Sequence, residues 1–119
     1  MKILISGRPQ FLGNYLVKLL RGHKVKIAEN LEYKGISNKE ISSFDCVFNL
    51  PIYEENEDLI SYTQKAIVGT INLCEARPKK IIHASSYSIY DLDTPVAHVK
   101  LCAEDILARY AQKLGFELI

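Results

Sequence analysis

Ile3, Leu4 and Ile5 form an unbroken apolar run that Gly7 closes two residues later. Such a run suits the central strand of a parallel sheet that is covered on both faces. From Phe11 the period changes. Phe11, Leu12, Tyr15, Leu16, Leu19 and Leu20 recur at helical spacing and predict a helix with one buried side. The opening stretch therefore reads as strand, tight turn and helix start. Unpaired N–H groups and the positive end of the dipole favour an anion at such a helix start.

In a dinucleotide-binding turn three glycines divide the roles. One makes the turn, one lets the pyrophosphate approach, and one allows close helix–strand packing. Gly7 and Gly13 stand as the first and last, and Gln10 occupies the place between them. The candidate anion contacts are Gly7, Arg8, Gln10, Phe11, Leu12 and Gly13, with the Arg8 guanidinium placed to meet a phosphate. Two glycines fit a purely structural turn equally well, with Arg8 as a solvated turn residue.

Gly22 and His23 stop the first helix. Lys24 to Ala28 alternates as a strand with one wet face, and Glu29 follows it. An acidic residue roughly 20 positions beyond a glycine turn is where a ribose hydroxyl is held. An exposed glutamate at a strand end is the plainer alternative. Asn30 to Phe44 is polar and predicts only a short helical turn over Asn38 to Ser43, capped by Asn38. Asp45 to Leu50 is the next strand, ended by Pro51.

Glu54, Glu55, Glu57 and Asp58 crowd the start of a long helix over about Asn56 to Arg77, with Ile60, Ile67, Ile71 and Cys74 on one face. Ile81 to Ser86 reads as a strand, with His83 a satisfied core histidine, and Tyr87 to Pro95 as a loop. The last helix runs from about Val96 to Lys113. Its apolar stripe is Val99, Cys102, Ala103, Ile106, Leu107 and Tyr110, and Gly115 closes it before a final strand over Phe116 to Ile119. Alternation of this kind predicts an α/β, Rossmann-like doubly wound parallel sheet with helices on both faces. The expected strand order is 2-1-3-4-5, with a crevice at the carboxyl ends of strands 1 and 3.

A length of 119 residues predicts a single domain over 1–119. A net charge of +1 points to no nucleic-acid polymer and no membrane surface as partner. Cys46, Cys74 and Cys102 are far apart, with no pair at metal-ligand spacing. Reduced thiols, a cytoplasmic location and no metal site are expected. The apolar start is too short for a signal peptide, and no run is long enough to span a bilayer.

Five stretches, in this order and spacing, resemble the extended short-chain dehydrogenase/reductases, the NAD-dependent epimerase/dehydratase group. Lys2-Ile-Leu-Ile-Ser-Gly7 with Phe11-Leu-Gly13 is similar to the family's opening strand and glycine turn. Phe44-Asp-Cys-Val-Phe-Asn-Leu50 resembles its fourth strand, and Gly69-Thr-Ile-Asn-Leu-Cys-Glu-Ala76 the helix that follows. Lys80-Ile-Ile-His-Ala-Ser-Ser-Tyr-Ser-Ile-Tyr90 resembles the strand and loop bearing the active-site Ser, here Ser86. Lys100-Leu-Cys-Ala-Glu-Asp105 resembles the helix bearing the active-site Lys, here Lys100. The resemblance implies an NAD or NADP cofactor and a nucleotide or nucleotide-sugar ligand. It also implies a homodimer through helices 56–77 and 96–113, with Leu59, Val68, Leu73, Leu101 and Ala108 as further apolar positions.

The departures from the pattern decide the expected function. The family's Tyr acid/base stands four residues before the Lys, and that position is Val96, which has no proton to give. Tyr87 and Tyr90 do not fall on the helical turn above Lys100, and His98 faces away from it. Gln10 replaces the middle glycine, Pro51 a small residue and Ala66 an Asn. The family's third strand and its C-terminal substrate domain have no counterpart in the sequence. A truncated, degenerate member is expected, a pseudoenzyme in which Ser86 and Lys100 are remnants and nucleotide binding is weak. The alternatives are a dimerisation module without ligand, or an active enzyme completed by a partner chain.

Overall fold

The computed structural model describes residues 1–7, 11–29, 31–54, 57–85 and 94–119, without the side chain of Phe11. β1 (Lys2–Ser6) is an inner strand of its sheet, with Leu4 and Ile5 wholly buried. It is followed by α1 (Phe11–Leu19), β2 (Lys24–Ala28), a 3-10 turn over Leu31–Tyr33, α2 (Asn38–Ser42) and β3 (Cys46–Asn49). α3 (Leu59–Thr63), a π-helical turn (Gln64–Val68) and α4 (Gly69–Glu75) form one uninterrupted helix. β4 (Lys80–His83), α5 (Pro95–Leu114) and β5 (Glu117–Leu118) complete the order.

The five strands pair in the order β2-β1-β3-β4-β5, every pair parallel, as the alternation predicts. Register aligns Leu4, Val47, Ile81 and Leu118 in one row across the sheet. That row meets Ile41, Phe44, Leu73, Cys74 and Leu107 in the main core. Ile3 and Ile5 point to the opposite face by strand alternation and are buried as well. The polar segment between β2 and β3 joins this core through Leu31, Ile36 and Ile41.

Several local expectations are corrected. Ser37, not Asn38, caps α2, its hydroxyl accepting from Glu40 N–H at 3.1 Å. The helix expected over about Asn56 to Arg77 begins at Leu59, behind an Asp58 cap that accepts from Ser61 N–H at 2.8 Å. Tyr62, Ala66, Thr70, Leu73 and Cys74, three and four residues apart, form its buried face. Ile60, expected in the apolar stripe, is 73% exposed, while Leu73, expected toward a partner, is 0% exposed. α5 starts earlier than Val96. Pro95 occupies its first turn, and Thr94 caps it by accepting from Ala97 N–H at 3.2 Å. Cys102 is exposed, since Ala103 and Leu107 take the inner positions of α5. On α1, Leu12, Tyr15 and Leu19 are exposed, and among the described residues Gly13 is buried.

Gly7 is held by its backbone. Its φ is +111°, and a Cβ there would stand 2.2 Å from the Leu50 carbonyl oxygen. Its N–H donates to the Ala28 carbonyl at 2.9 Å, so the ends of β1, β2 and β3 meet at this residue. Gly7→Ala is expected to destabilise the fold by about 3 kcal/mol through strain and collision together. A thermal melt checks this, and an unchanged midpoint contradicts it.

Candidate functional site

The carboxyl ends of β1 to β4 share one edge of the sheet, where the strand order switches between β1 and β3. The described residues form three hollows there. One, of about 220 Å³, lies beside the end of β2, between Lys26, Ile27, Ala28, Glu29, Leu31, Gly35 and Ile36. Another, also about 220 Å³, lies between the ends of β3 and β4 and the first half of α5. Leu12, Pro51, Ile52, Tyr53, Tyr62, His83, Ala84, Ser85, Lys100, Ala103 and Glu104 line it. A gap of about 10 Å³ lies between the two, bordered by Ser6, Gly7, Glu29, Leu31, Glu32, Asn49, Pro51, Lys65 and Gly69. It shares Glu29 and Leu31 with the first hollow and Pro51 with the second.

A buried polar chain supports this edge from below. Ser6 Oγ donates to Asn49 Oδ1 at 2.7 Å. Asn49 Nδ2 reaches Thr70 Oγ1 and His83 Nδ1, each at 3.2 Å. An amide nitrogen only donates, so His83 Nδ1 accepts and the neutral ring carries its proton on Nε2. Burial holds the His83 pKa below its ordinary 6.5, and the negative charge of Glu104 opposes that shift. Glu104 Oε1 is itself buried without a hydrogen-bond partner. Burial also lowers the Lys100 pKa. The Tyr62 hydroxyl donates to the Pro51 carbonyl at 3.3 Å, and burial with the nearby Glu57 charge pushes its pKa up to about 12. Tyr53 meets Tyr62 edge-on, with ring centroids 5.2 Å apart. Lys65 and Glu57 form a mostly buried ion pair at 3.0 Å.

The structure divides the residues that the sequence singled out. Gly7 and Glu29 border the narrow gap, while Leu12 and Lys100 line the hollow by α5. Gly13 is buried within α1. Arg8, Gln10, Ser86, Tyr87 and Tyr90 lie outside the described residues, as does the side chain of Phe11. Val96 is half-buried, one helical turn before Lys100. Among the described residues no three His, Cys, Asp or Glu side chains converge on a metal position, and no helix is long and apolar enough to cross a membrane.

Sequence reasoning missed Asn49, Thr70 and Glu104, and treated His83 as core alone. Asn49 carried a readable signal, a lone amide ending an apolar strand. The hollow beside α5 thus combines a neutral imidazole, a carboxylate and a partly desolvated amine, groups able to bind a polar ligand and to hold or release a proton. A lowered folded pKa makes the stability contribution of His83 complete above about pH 6.5 and lost progressively as pH falls toward the folded value. NMR titration is expected to give a His83 midpoint below 6.5, with Nδ1 unprotonated in the neutral form. A midpoint above 6.5 contradicts the network.

No protein-family model and no curated protein sequence matches this chain. Solved structures do match. UDP-glucose 4-epimerase of Thermotoga maritima, determined with UDP-glucose, superposes with a TM-score of 0.78 at 20% identity over 99% of this chain and 53% of its own. UDP-glucuronic acid 4-epimerase of Bacillus cereus, in complex with NAD, gives 0.81 at 20% identity over 99% and 55%. A dTDP-glucose 4,6-dehydratase of Streptomyces venezuelae with NAD bound gives 0.79 at 14% over 99% and 54%. The chain spans about half the length of these structures. It has the Rossmann fold of the matching half of the NAD-dependent epimerases and dehydratases, the fold of the extended short-chain dehydrogenase/reductases.

Proposed function

We propose that the chain is an epimerase/dehydratase-like Rossmann domain that binds a nucleotide or NAD(P) weakly and lacks the family's catalysis. The observation that carries this reading is the pairing of two features in one fold. Glu29 stands beside Gly7 at the switch point, where a ribose hydroxyl and a phosphate are received, while Val96 stands one turn ahead of Lys100. The likeness to structures holding NAD or UDP-glucose supports a nucleotide as ligand. In this reading the Gly7 to Leu12 turn, with Arg8, Gln10 and Phe11, contacts the ligand, and Glu29 accepts from its ribose. Ser86 and Lys100 are remnants.

Calorimetry against NAD, NADP, ADP and UDP-glucose tests the reading. Dissociation constants of about 0.1–1 mM are expected for the binders, weakened about tenfold or more by Glu29→Ala. No heat at millimolar ligand contradicts it. UDP-glucose incubated with NAD is expected to remain unchanged, and turnover that depends on Ser86 or Lys100 overturns the loss of catalysis.

A second reading concerns self-association. Leu59, Ile60, Val68 and Leu101 are all exposed on α3, the π-turn and α5, which pack side by side. Four large apolar side chains open to water on adjoining helices favour a homodimer through this face. Sedimentation is expected to show a dimer that Ile60→Glu dissociates, and a monomer at high concentration contradicts it.

A further inference from the structure

Among the described residues the buried polar side chains are Ser6, Asn49 and Thr70, and all three stand in one chain with His83. Water scarcely reaches them, so each contact needs a donor and an acceptor from within the chain. Ser6 Oγ donates to Asn49 Oδ1, and Nδ2 faces Thr70 Oγ1 and His83 Nδ1 on the other side. The direction of this chain is imposed from one end. Hydroxyls donate or accept as their neighbours require, and an amide that turns over exchanges its donor for its acceptor. The neutral imidazole alone demands a donor from Asn49, because its Nδ1 carries a lone pair and no proton.

A proton taken up at Nδ1 reverses that demand. Two donors, Nδ1–H and the Asn49 amide, then meet across 3.2 Å with no acceptor between them. Turning the amide over restores all three contacts. His83 Nδ1–H and the Thr70 hydroxyl donate to Oδ1, and Nδ2–H donates to Ser6 Oγ. Ser6 now accepts from Asn49, and its O–H is released toward the gap in front of Gly7, which it borders.

The surroundings of His83 suit such a step. The ring lines the hollow beside α5, which opens to solvent and gives protons a route. From α5, the Glu104 charge favours a cationic ring, and Glu104 Oε1 is a buried acceptor still short of a donor. Lys100, one turn earlier on α5, lines the same hollow and opposes a second cation. Tyr53 and Tyr62 contribute phenol rings to the hollow. From β5, the Ile119 carbonyl accepts the His83 backbone N–H at 2.9 Å.

We propose that Asn49 is a two-position relay. Protonation of His83 in the hollow beside α5 turns the amide over and converts Ser6 from a donor spent on Asn49 into a donor offered at the switch point. The two places are thereby linked. An acceptor seated against Ser6 favours proton uptake at His83, and proton uptake favours that acceptor. The relay belongs to the framework of the edge and stands whether or not a nucleotide binds there.

NMR of the full chain from about pH 8 to about pH 4 tests it. Nuclear Overhauser contacts report which way the Asn49 amide faces. Above the His83 midpoint its amide protons are expected close to the ring proton between the two imidazole nitrogens. Below the midpoint they are expected close to the Ser6 β protons, with the ring and the amide changing together. Asn49→Asp supplies an acceptor on both sides without a turn, and is expected to strengthen proton binding at His83 about tenfold or more. Amide protons that keep facing His83 after the ring has titrated overturn the relay. Amide protons that face Ser6 at every pH also overturn it, as does loss of the dispersed amide spectrum before the ring titrates. An Asn49→Asp chain that folds with the proton affinity of His83 unaltered overturns it as well.

Discussion

The approach of the Gly7 backbone to the Leu50 carbonyl, tolerable only without a side chain, sets the geometry of the whole carboxyl edge. At this residue β1 stops, hands its last N–H to β2 through Ala28, and lies against the chain leaving β3. Ser6 and Asn49, the final residues of β1 and β3, are thereby brought level and buried together. Their hydrogen bond starts the chain that reaches Thr70 on α4 and His83 at the end of β4. Four separate elements are thus joined by satisfied polar contacts at the site edge, while apolar burial holds them further down. An unpaired amide at Asn49 in so dry a place would cost about 1–3 kcal/mol.

Two parts of the same edge follow different chemistry. Beside β2 the lining is largely apolar, with Lys26 and Glu29 as its charged residues. Beside α5 it is a mixture of imidazole, amine, carboxylate and phenol. Tyr62 is buried and keeps its proton far above neutral pH, so it serves as wall and hydrogen-bond donor rather than as an acid at pH 7. Among the described residues, Glu104 Oε1 is a buried oxygen of this hollow without a hydrogen-bond partner.

The sequence made the strands and their order legible, because a strand buried on both faces has to be apolar throughout. Ile3 to Ile5 and Cys46 to Phe48 leave no other reading. Gly7 and Gly115 were equally legible, since each marks a backbone of positive φ. The buried face of the helix over Leu59–Glu75 was not, because Ile60, Ile67 and Ile71 offer an apolar stripe as good on paper as Tyr62, Ala66, Thr70 and Leu73, and packing against the sheet chooses between them. Thr94 and Pro95 carried a start signal for α5 that the adjoining polar loop obscured. The tie between Asn72 and Leu31 was beyond sequence reading altogether. It depends on an amide meeting a carbonyl 41 residues away, a contact that only the folded sheet creates.

A nucleotide-binding edge built around Gly7, with no proton donor at residue 96, is the central claim. Amide chemical-shift mapping with ADP tests it most directly. The account predicts perturbations concentrated at Gly7, at Ile27 to Glu29 and at Ile36, with little change at Lys100 and Glu104. Shifts confined to the hollow beside α5, or no shifts at millimolar ADP, would contradict it.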